Sequence, residues 1–250
     1  MIRVYTLGTG GAGAPPGRAQ NCILLETRGT RLLLDAGPGC AQRLQEVGIE
    51  PHELDAIYIS HRHVDHVAGL FDISVHSSAT GRPMPRILAA VEGLTEIEAA
   101  ARLHVVSSVA TSLRVEPVTA GHRLGDLTLD PVPSSHPATC HGVIAADTEG
   151  NTVYYSADTA LTSRIEEAVS RARLSLLEAT LPPGMEDAAG KIGHMTVAQA
   201  TSLAARAPQD ATIALIHLTA ASMPHAIRAN PPRNTKATIT APSDLTVFTL

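Results

Sequence analysis

Short apolar runs separated by turn residues set the pattern of the first third of the chain. Residues 2–7, 22–27, 31–36 and 56–60 are dense in Val, Ile and Leu and predict strands, the second and third close enough for a hairpin. Between Pro38 and Gly48, CAQRLQEVG has helical spacing and ends at a glycine suited to a C-cap. Residues 76–104 mix a polar, Gly- and Pro-bearing stretch with the helical pattern GLTEIEAAARL. Strand signals return at 114–118, 127–132, 142–147 and 152–156. Helices are predicted over 161–173 and 196–206, each followed by an apolar strand, at 174–178 and 212–217, and the chain closes on the strand-like LTVFTL. The second half repeats the style of the first: strands, then helices interleaved with strands. A two-sheet sandwich with helices on its outer faces accounts for this order.

Composition narrows the function. Hydrophobic residues make up 44% of the 250, enough for a sizeable core. With four Tyr, two Phe and no Trp, there are too few rings for a base-stacking nucleic-acid platform. A net charge of −5, with only two Lys, leaves no general polyanion-binding surface. Cys22, Cys40 and Cys140 are too few and too scattered for a disulfide framework or a four-thiolate metal site. No apolar run reaches the roughly 18 residues of a membrane span, and MIRVYTLG reads as a strand rather than a signal peptide. The expectation is a cytoplasmic globular protein that does not engage membranes.

Gly8, Gly10 and Gly13 fit the G-x-G-x-x-G spacing of dinucleotide-binding loops. That loop works by opening a helix onto a pyrophosphate. Pro15 and Pro16 block such a helix here, because a residue before proline is pushed to extended geometry. The glycines are read instead as a loop that lets backbone pass close to a site or to another loop.

Twelve histidines stand out, and four chemistry-bearing residues cluster in SHRHVDH: His61, His63, Asp65 and His66. They follow the apolar run DAIYIS, so they lie at the carboxyl end of a buried strand. In extended backbone His61 and His63 point to one side and can share an ion. As the chain turns toward a helix, Asp65 and His66 are redirected and can serve a second.

SHRHVDH resembles the signature of the metallo-β-lactamase superfamily, and the remainder resembles its ribonuclease Z branch. The motifs that carry this likeness are LGTGGAGAPPGRAQNCILLE, SSHPATCHG, YSADT, LLEAT, GHMT and LIHLT, in the expected order. The resemblance implies a four-layer αββα sandwich, two mixed sheets with helices on the outer faces, as one hydrolase domain over residues 1–250. It also implies a dinuclear metal centre. His61, His63 and His136 would hold one metal; Asp65, His66 and His217 the other; Asp158 would bridge them. His141, five residues after His136, is the alternative third ligand. Asp158 and His217 both follow apolar strand runs, and a carboxylate between two cations reduces their repulsion. His63, where di-iron oxygen-reducing relatives carry a carboxylate, favours zinc, with manganese or iron as alternatives. Asp35, in RLLLDAG, is read as support for a metal-bound histidine. His52, His76, His104, His122 and His225 are left as surface or helix-end residues.

By the same resemblance, two metals would lower the pKa of a shared water to supply hydroxide. Asp65 would orient it, His194 would act as general acid, and Glu178 would position His194. The branch cleaves phosphodiesters, notably at the end of transfer RNA precursors. Its RNA-processing members carry a long arm between the third histidine and the bridging aspartate. Only twenty-one residues separate His136 from Asp158, and LTAASMPH replaces the family's Ser-Ser-Arg-Tyr run. The expected activity is therefore hydrolysis of a small or nucleotide-like phosphodiester, with nucleic acid a disfavoured partner. Ester, thioester, lactone or lactam hydrolysis is the alternative. RNA processing and an inactive metal-binding protein rank below it. A homodimer is one assembly the resemblance allows. Pocket walls are assigned to loops such as 68–85 and 181–193.

Overall fold

The computed structural model describes residues 1–233 and 235–250. The first half supplies six strands, β1 (Arg3–Gly8), β2 (Cys22–Glu26), β3 (Arg31–Leu34), β4 (Ala56–Tyr58), β5 (Arg86–Ala90) and β6 (Val115–Val118). The second supplies β7 (His122–Leu124), β8 (Leu127–Pro133), β9 (His141–Asp147), β10 (Thr152–Tyr155), β11 (Leu174–Glu178), β12 (Thr212–Ile216) and β13 (Thr238–Thr240). The last strand, β14 (Thr246–Thr249), returns to the first sheet beside β1. The sheets run β14-β1-β2-β3-β4-β5-β6 and β13-β12-β11-β10-β9-β8-β7. Each is antiparallel over its first three pairings in chain order and parallel over the rest, with β14–β1 counted first in one sheet and β7–β8 in the other.

Strand alternation explains the layers. Ile23, Leu25, Leu32 and Leu34 point between the sheets, where they meet Leu129, Val143, Val153, Leu176 and Ile216. Their neighbours Leu24 and Leu33 point outward. There they pack on Leu44 of α1 (Cys40–Glu46), Val67 of α2 (Val64–Val67), Ile73 of α3 (Leu70–Thr80) and Ile97 of α4 (Leu94–Leu103). A short α5 (Ser107–Ala110) follows. On the other side, α6 (Ser163–Arg171) and α8 (Val197–Ser202) cover Tyr154, Leu177, Ile213 and Leu215, with α7 (Glu186–Ile192) between them and α9 (Met223–Ala226) after β12. The result is the helix–sheet–sheet–helix sandwich expected from the sequence.

Most predicted elements lie within two residues of the observed ones. Gly48, just past α1, has φ 77°, the left-handed conformation a terminating glycine supplies. Three differences have physical causes. Residues 68–85, read as loop, are largely α3; its buried face is Leu70, Ile73, Ser74 and Ser77, and the two serines hide the apolar period. Residues 181–193 likewise contain α7, which buries only Ala189. The strands β5, β7 and β13 carry no alternation that periodicity could detect, being three to five residues long. Cys22 and Cys40 also form a bridge, Cα–Cα 5.9 Å, a single cross-link rather than a framework, while Cys140 is free and buried. The hydrogen bonds Gly37 N to Asn21 O and Cys40 N to Gly37 O bring those two segments together. No helix among the described residues is long and apolar enough to cross a membrane.

Parallel pairing decides where the chemistry collects. β3 and β4 run parallel, as do β10, β11 and β12, so within each group the carboxyl ends share an edge. Asp35 directly follows β3, His61 lies just beyond β4, Asp158 just beyond β10, Glu178 ends β11 and His217 directly follows β12. Leu176 is fully buried in the inter-sheet core that holds these ends in register. Leu176→Ala is expected to destabilise the fold by about 2–5 kcal/mol through the cavity it leaves, read as a lower midpoint in urea unfolding at unchanged slope.

Candidate metal centre

His61 and His63 leave β4 in extended backbone, and His63 is the N-cap of α2, whose first turn then redirects Asp65 and His66. His136 comes from the β8–β9 loop, Asp158 and His217 from the ends of β10 and β12. Metal-binding atoms of His61, His63, His136 and Asp158 lie within 4.8 Å of one another. So do those of Asp65, His66 and His217, and those of Asp158, His194 and His217. All seven residues named as ligands from the sequence meet at one edge. His141 goes elsewhere, its Nε2 3.4 Å from Glu92.

Asp158 stands between the two groups. Its Oδ2 is 3.6 Å from His61 Nε2, while Oδ1 is 3.4 Å from His66 Nε2 and 3.3 Å from His217 Nε2. His217 Nε2 is also 3.1 Å from Asp65 Oδ2 and 3.3 Å from His66 Nε2. On the other side, His136 Nε2 faces His63 Nδ1 at 3.2 Å. Among the described residues, Asp158 Oδ1 and His61 Nε2 are buried and make no hydrogen bond. A buried acceptor without a donor is costly. Two cations, one per donor group and sharing Asp158, would satisfy these atoms, so the residues present fit a dinuclear centre.

The electrostatics are those of a site built for positive charge. Burial holds His61, His63 and His136 below the ordinary histidine value, well below for His61, which keeps nitrogen lone pairs free. Burial works against charge on His66 as well, but the carboxylates of Asp158 and Asp35 outweigh it and raise its pKa well above the ordinary value. Burial disfavours ionised Asp158 and Asp65, yet the facing imidazoles hold both below the usual carboxylate range.

The surrounding hydrogen bonds fix which nitrogen faces inward. Asp35, fully buried, accepts the backbone N–H of Ser60 at 2.7 Å, the Ser60 hydroxyl at 2.7 Å and the Tyr155 hydroxyl, and contacts His66 Nδ1 at 2.6 Å. Because the single Ser60 proton goes to Asp35, Ser60 Oγ can only accept from His61 Nδ1, 3.0 Å away. That leaves His61 Nε2 bare and facing Asp158. His136 Nδ1 donates to Gly193 O at 2.9 Å, with the same outcome for its Nε2. Asp35 thus supports both His61 and His66. Ser60, Tyr155 and Gly193 stand first in the motifs SHRHVDH, YSADT and GHMT, but the sequence reading gave them no role.

Backbone strain marks the same edge. Asp35, Ala157 and His217 adopt φ of 58°, 51° and 55°. Left-handed backbone in residues with a Cβ costs of order 1–3 kcal/mol each and persists only where neighbours enforce it. It turns the chain sharply beyond β3, β10 and β12, at or beside the residues of the site. The glycine loop packs where the sequence reading put it: a Cβ on Gly11 would sit 2.5 Å from the His217 ring, and Ala12 N–H donates to Asp65 Oδ2 at 3.0 Å.

His194 borders the cluster, its ring centroid 5.1 Å from His136 and 5.6 Å from His217. Its Nδ1 lies 2.9 Å from Glu178 Oε1, and Glu178 is buried. Burial disfavours charge on His194, but Glu178 overcomes this and raises its pKa. Of the unassigned histidines, His52 and His76 stack at 5.8 Å away from this edge.

Comparison with known proteins follows these lines. Residues 30–218 match the family model described as a beta-lactamase superfamily domain. A ribonuclease Z of Pyrobaculum calidifontis is 30% identical over 256 aligned positions, covering 88% of each chain. A ribonuclease Z of Methanopyrus kandleri is 46% identical over 68 residues, 27% of this chain but only 24% of that relative's length. Among solved structures, the metallo-beta-lactamase fold protein YhfI from Bacillus subtilis superposes with a TM-score of 0.81 at 20% identity, over 99% of this chain and 98% of that one.

Removing the Asp35 carboxylate charge tests the outer hydrogen bonds directly. Asp35→Asn is expected to weaken zinc binding by about 10–100-fold, measured by competition with a chromophoric chelator, while circular dichroism stays that of the parent.

Proposed function

The chain belongs to the metallo-β-lactamase superfamily, in its ribonuclease Z-like branch, and from that premise we propose that it is a metal-dependent phosphodiesterase. The observation that carries this reading is the pair of donor groups with Asp158 between them, its two oxygens facing His61 on one side and His66 and His217 on the other, and the His194–Glu178 pair beside them. His61, His63 and His136 would hold one cation, Asp65, His66 and His217 the second, and Asp158 both. Imidazole-rich ligation favours zinc over manganese or iron. Two bound divalent cations supply an acidified water and stabilise negative charge on the reacting centre.

The chain's own groups do the rest. Asp65 is placed to accept a hydrogen bond from the attacking water and to take its proton. Glu178 holds His194 by Nδ1, which leaves Nε2 as the nitrogen that delivers a proton to the departing oxygen. As the new P–O bond forms and one ester P–O bond breaks, the group expelled from an alkyl diester is an alkoxide, which needs such a proton donor. The Glu178 carboxylate beside it raises the His194 pKa and keeps the proton available.

The substrate we favour is a small or nucleotide-like diester. Arg62, within the signature itself, is paired with Glu96 at 3.1 Å, and the Arg18 guanidinium bonds Thr9 and the Pro242 carbonyl. Between His136 and Asp158 the chain builds only the β9–β10 hairpin. RNA cleavage is a second reading, favoured by the relative named ribonuclease Z that aligns over 88% of this chain. The fold equally accommodates carbonyl chemistry.

Zinc-loaded protein is expected to hydrolyse bis-p-nitrophenyl phosphate faster than p-nitrophenyl acetate. The reverse order would move the assignment to ester or lactone hydrolysis, and cleavage of a transfer RNA precursor would favour the RNA reading. Inactivity on all three, with two metals bound, would make it a binding protein. His194→Ala should lower kcat by about 10²–10⁴-fold on a diester with an alkoxide leaving group, at unchanged metal content, and far less on bis-p-nitrophenyl phosphate, whose nitrophenoxide departs without a proton. Loss of metal in that variant would instead make His194 a ligand.

A further inference from the structure

The Glu178 carboxylate makes more contacts than a partner for His194 requires. Oε1 accepts the Thr159 backbone N–H at 3.0 Å and faces His194 Nδ1 at 2.9 Å. Oε2 accepts both the backbone N–H and the hydroxyl of Thr180, at 3.2 and 2.8 Å. Thr180 Oγ1 in turn lies 2.8 Å from His217 Nδ1. A hydroxyl has one proton to give. Given to Glu178, it leaves the Thr180 oxygen only lone pairs to offer, so His217 Nδ1 must be the donor across the 2.8 Å contact. A neutral His217, the form that can take a cation, is thereby held as the tautomer whose Nε2 is bare, and that atom faces Asp65, Asp158 and His66.

We propose that Thr180 is a positioning residue that ties the metal-binding group of His217 to the carboxylate that also orients His194. The proposal rests on the dinuclear reading above and extends it. One buried carboxylate would then align a metal ligand and the proton donor together, through a single hydroxyl. The same device stands in the other half of the site, where Ser60 lies between Asp35 and His61 Nδ1. In both, a carboxylate at a strand end reaches an imidazole it does not touch by way of a hydroxyl with only one proton. Thr180 is further pinned by its carbonyl, which accepts the Thr219 hydroxyl at 2.9 Å and so joins the loops after β11 and β12.

Thr180→Val keeps the shape and removes the hydroxyl; Thr180→Ser keeps the hydroxyl and removes the methyl. Zinc titration of the metal-stripped proteins against a chromophoric chelator reads affinity and stoichiometry without reference to turnover. The valine variant is expected to weaken one of two zinc sites by about 10–100-fold, with the serine variant near the parent and all three alike by circular dichroism. Two-dimensional ¹H–¹⁵N spectra of the histidine rings should show His217 carrying its proton on Nδ1 in the parent and the serine variant, and losing that preference in the valine variant. Unchanged zinc affinity in Thr180→Val, or equal impairment in both variants, would overturn the role of the hydroxyl while leaving the dinuclear reading intact. A parent that binds no zinc would overturn both. A valine variant that unfolds is replaced by Thr180→Ala, to which the same outcomes apply.

Discussion

Too many lone pairs point at one another along one edge of this molecule. Asp158 is buried with His61, His66 and His217 around it, and Asp65 adds a second carboxylate to the same group. Neutral imidazoles and carboxylates gain nothing from facing each other without protons or cations between them. Protonating His66 relieves part of this, as the rise in its pKa records. It does nothing for His61, whose inward nitrogen stays bare. Positive charge from divalent cations would meet the whole demand, and the rest of the architecture reads as the means of keeping those lone pairs aimed inward.

The means are of two kinds. Hydrogen bonds to the outward nitrogens, from Asp35, Ser60 and Gly193, select tautomers, because an imidazole that donates on one side presents a lone pair on the other. Left-handed backbone at Asp35, Ala157 and His217 turns the chain at the strand ends. The backbone strain costs stability locally, and it is sustained by the apolar packing of two seven-stranded sheets whose facing side chains hold the strand ends together. The folded scaffold is thus stabilised in its core and strained at its working edge.

Function on this fold is decided by what surrounds the centre rather than by the centre itself. The proposed acid–base pair lies next to the ligands, and arginines near the signature and the glycine loop are already engaged. In the reading proposed above, the substrate is compact and its charge would be met by metal. A polyanion would draw its affinity from many phosphate contacts.

Local pattern carried much of this protein in the sequence. Apolar runs ending in His, Asp or Glu marked the strand tips, proline after the glycine loop excluded a nucleotide helix, and H-x-H-x-D-H located the first half of the site, because those signals depend only on near neighbours. Resemblance supplied His136, Asp158, His194 and His217, which no spacing rule links to residue 61. What pattern could not supply were contacts across long separations. Ser60, Tyr155 and Thr180 owe their roles to partners that only folding brings near, and the Cys22–Cys40 bridge depends on how the Asn21–Gly37 hydrogen bond folds that turn. The helix α3 was hidden by serines on its buried face, since burial is a property of the neighbours and not of the residue. Residue chemistry and local period are written along the chain. Which nitrogen faces a metal, and which of His136 and His141 reaches the cluster, was decided only when parallel strands brought their ends to one edge.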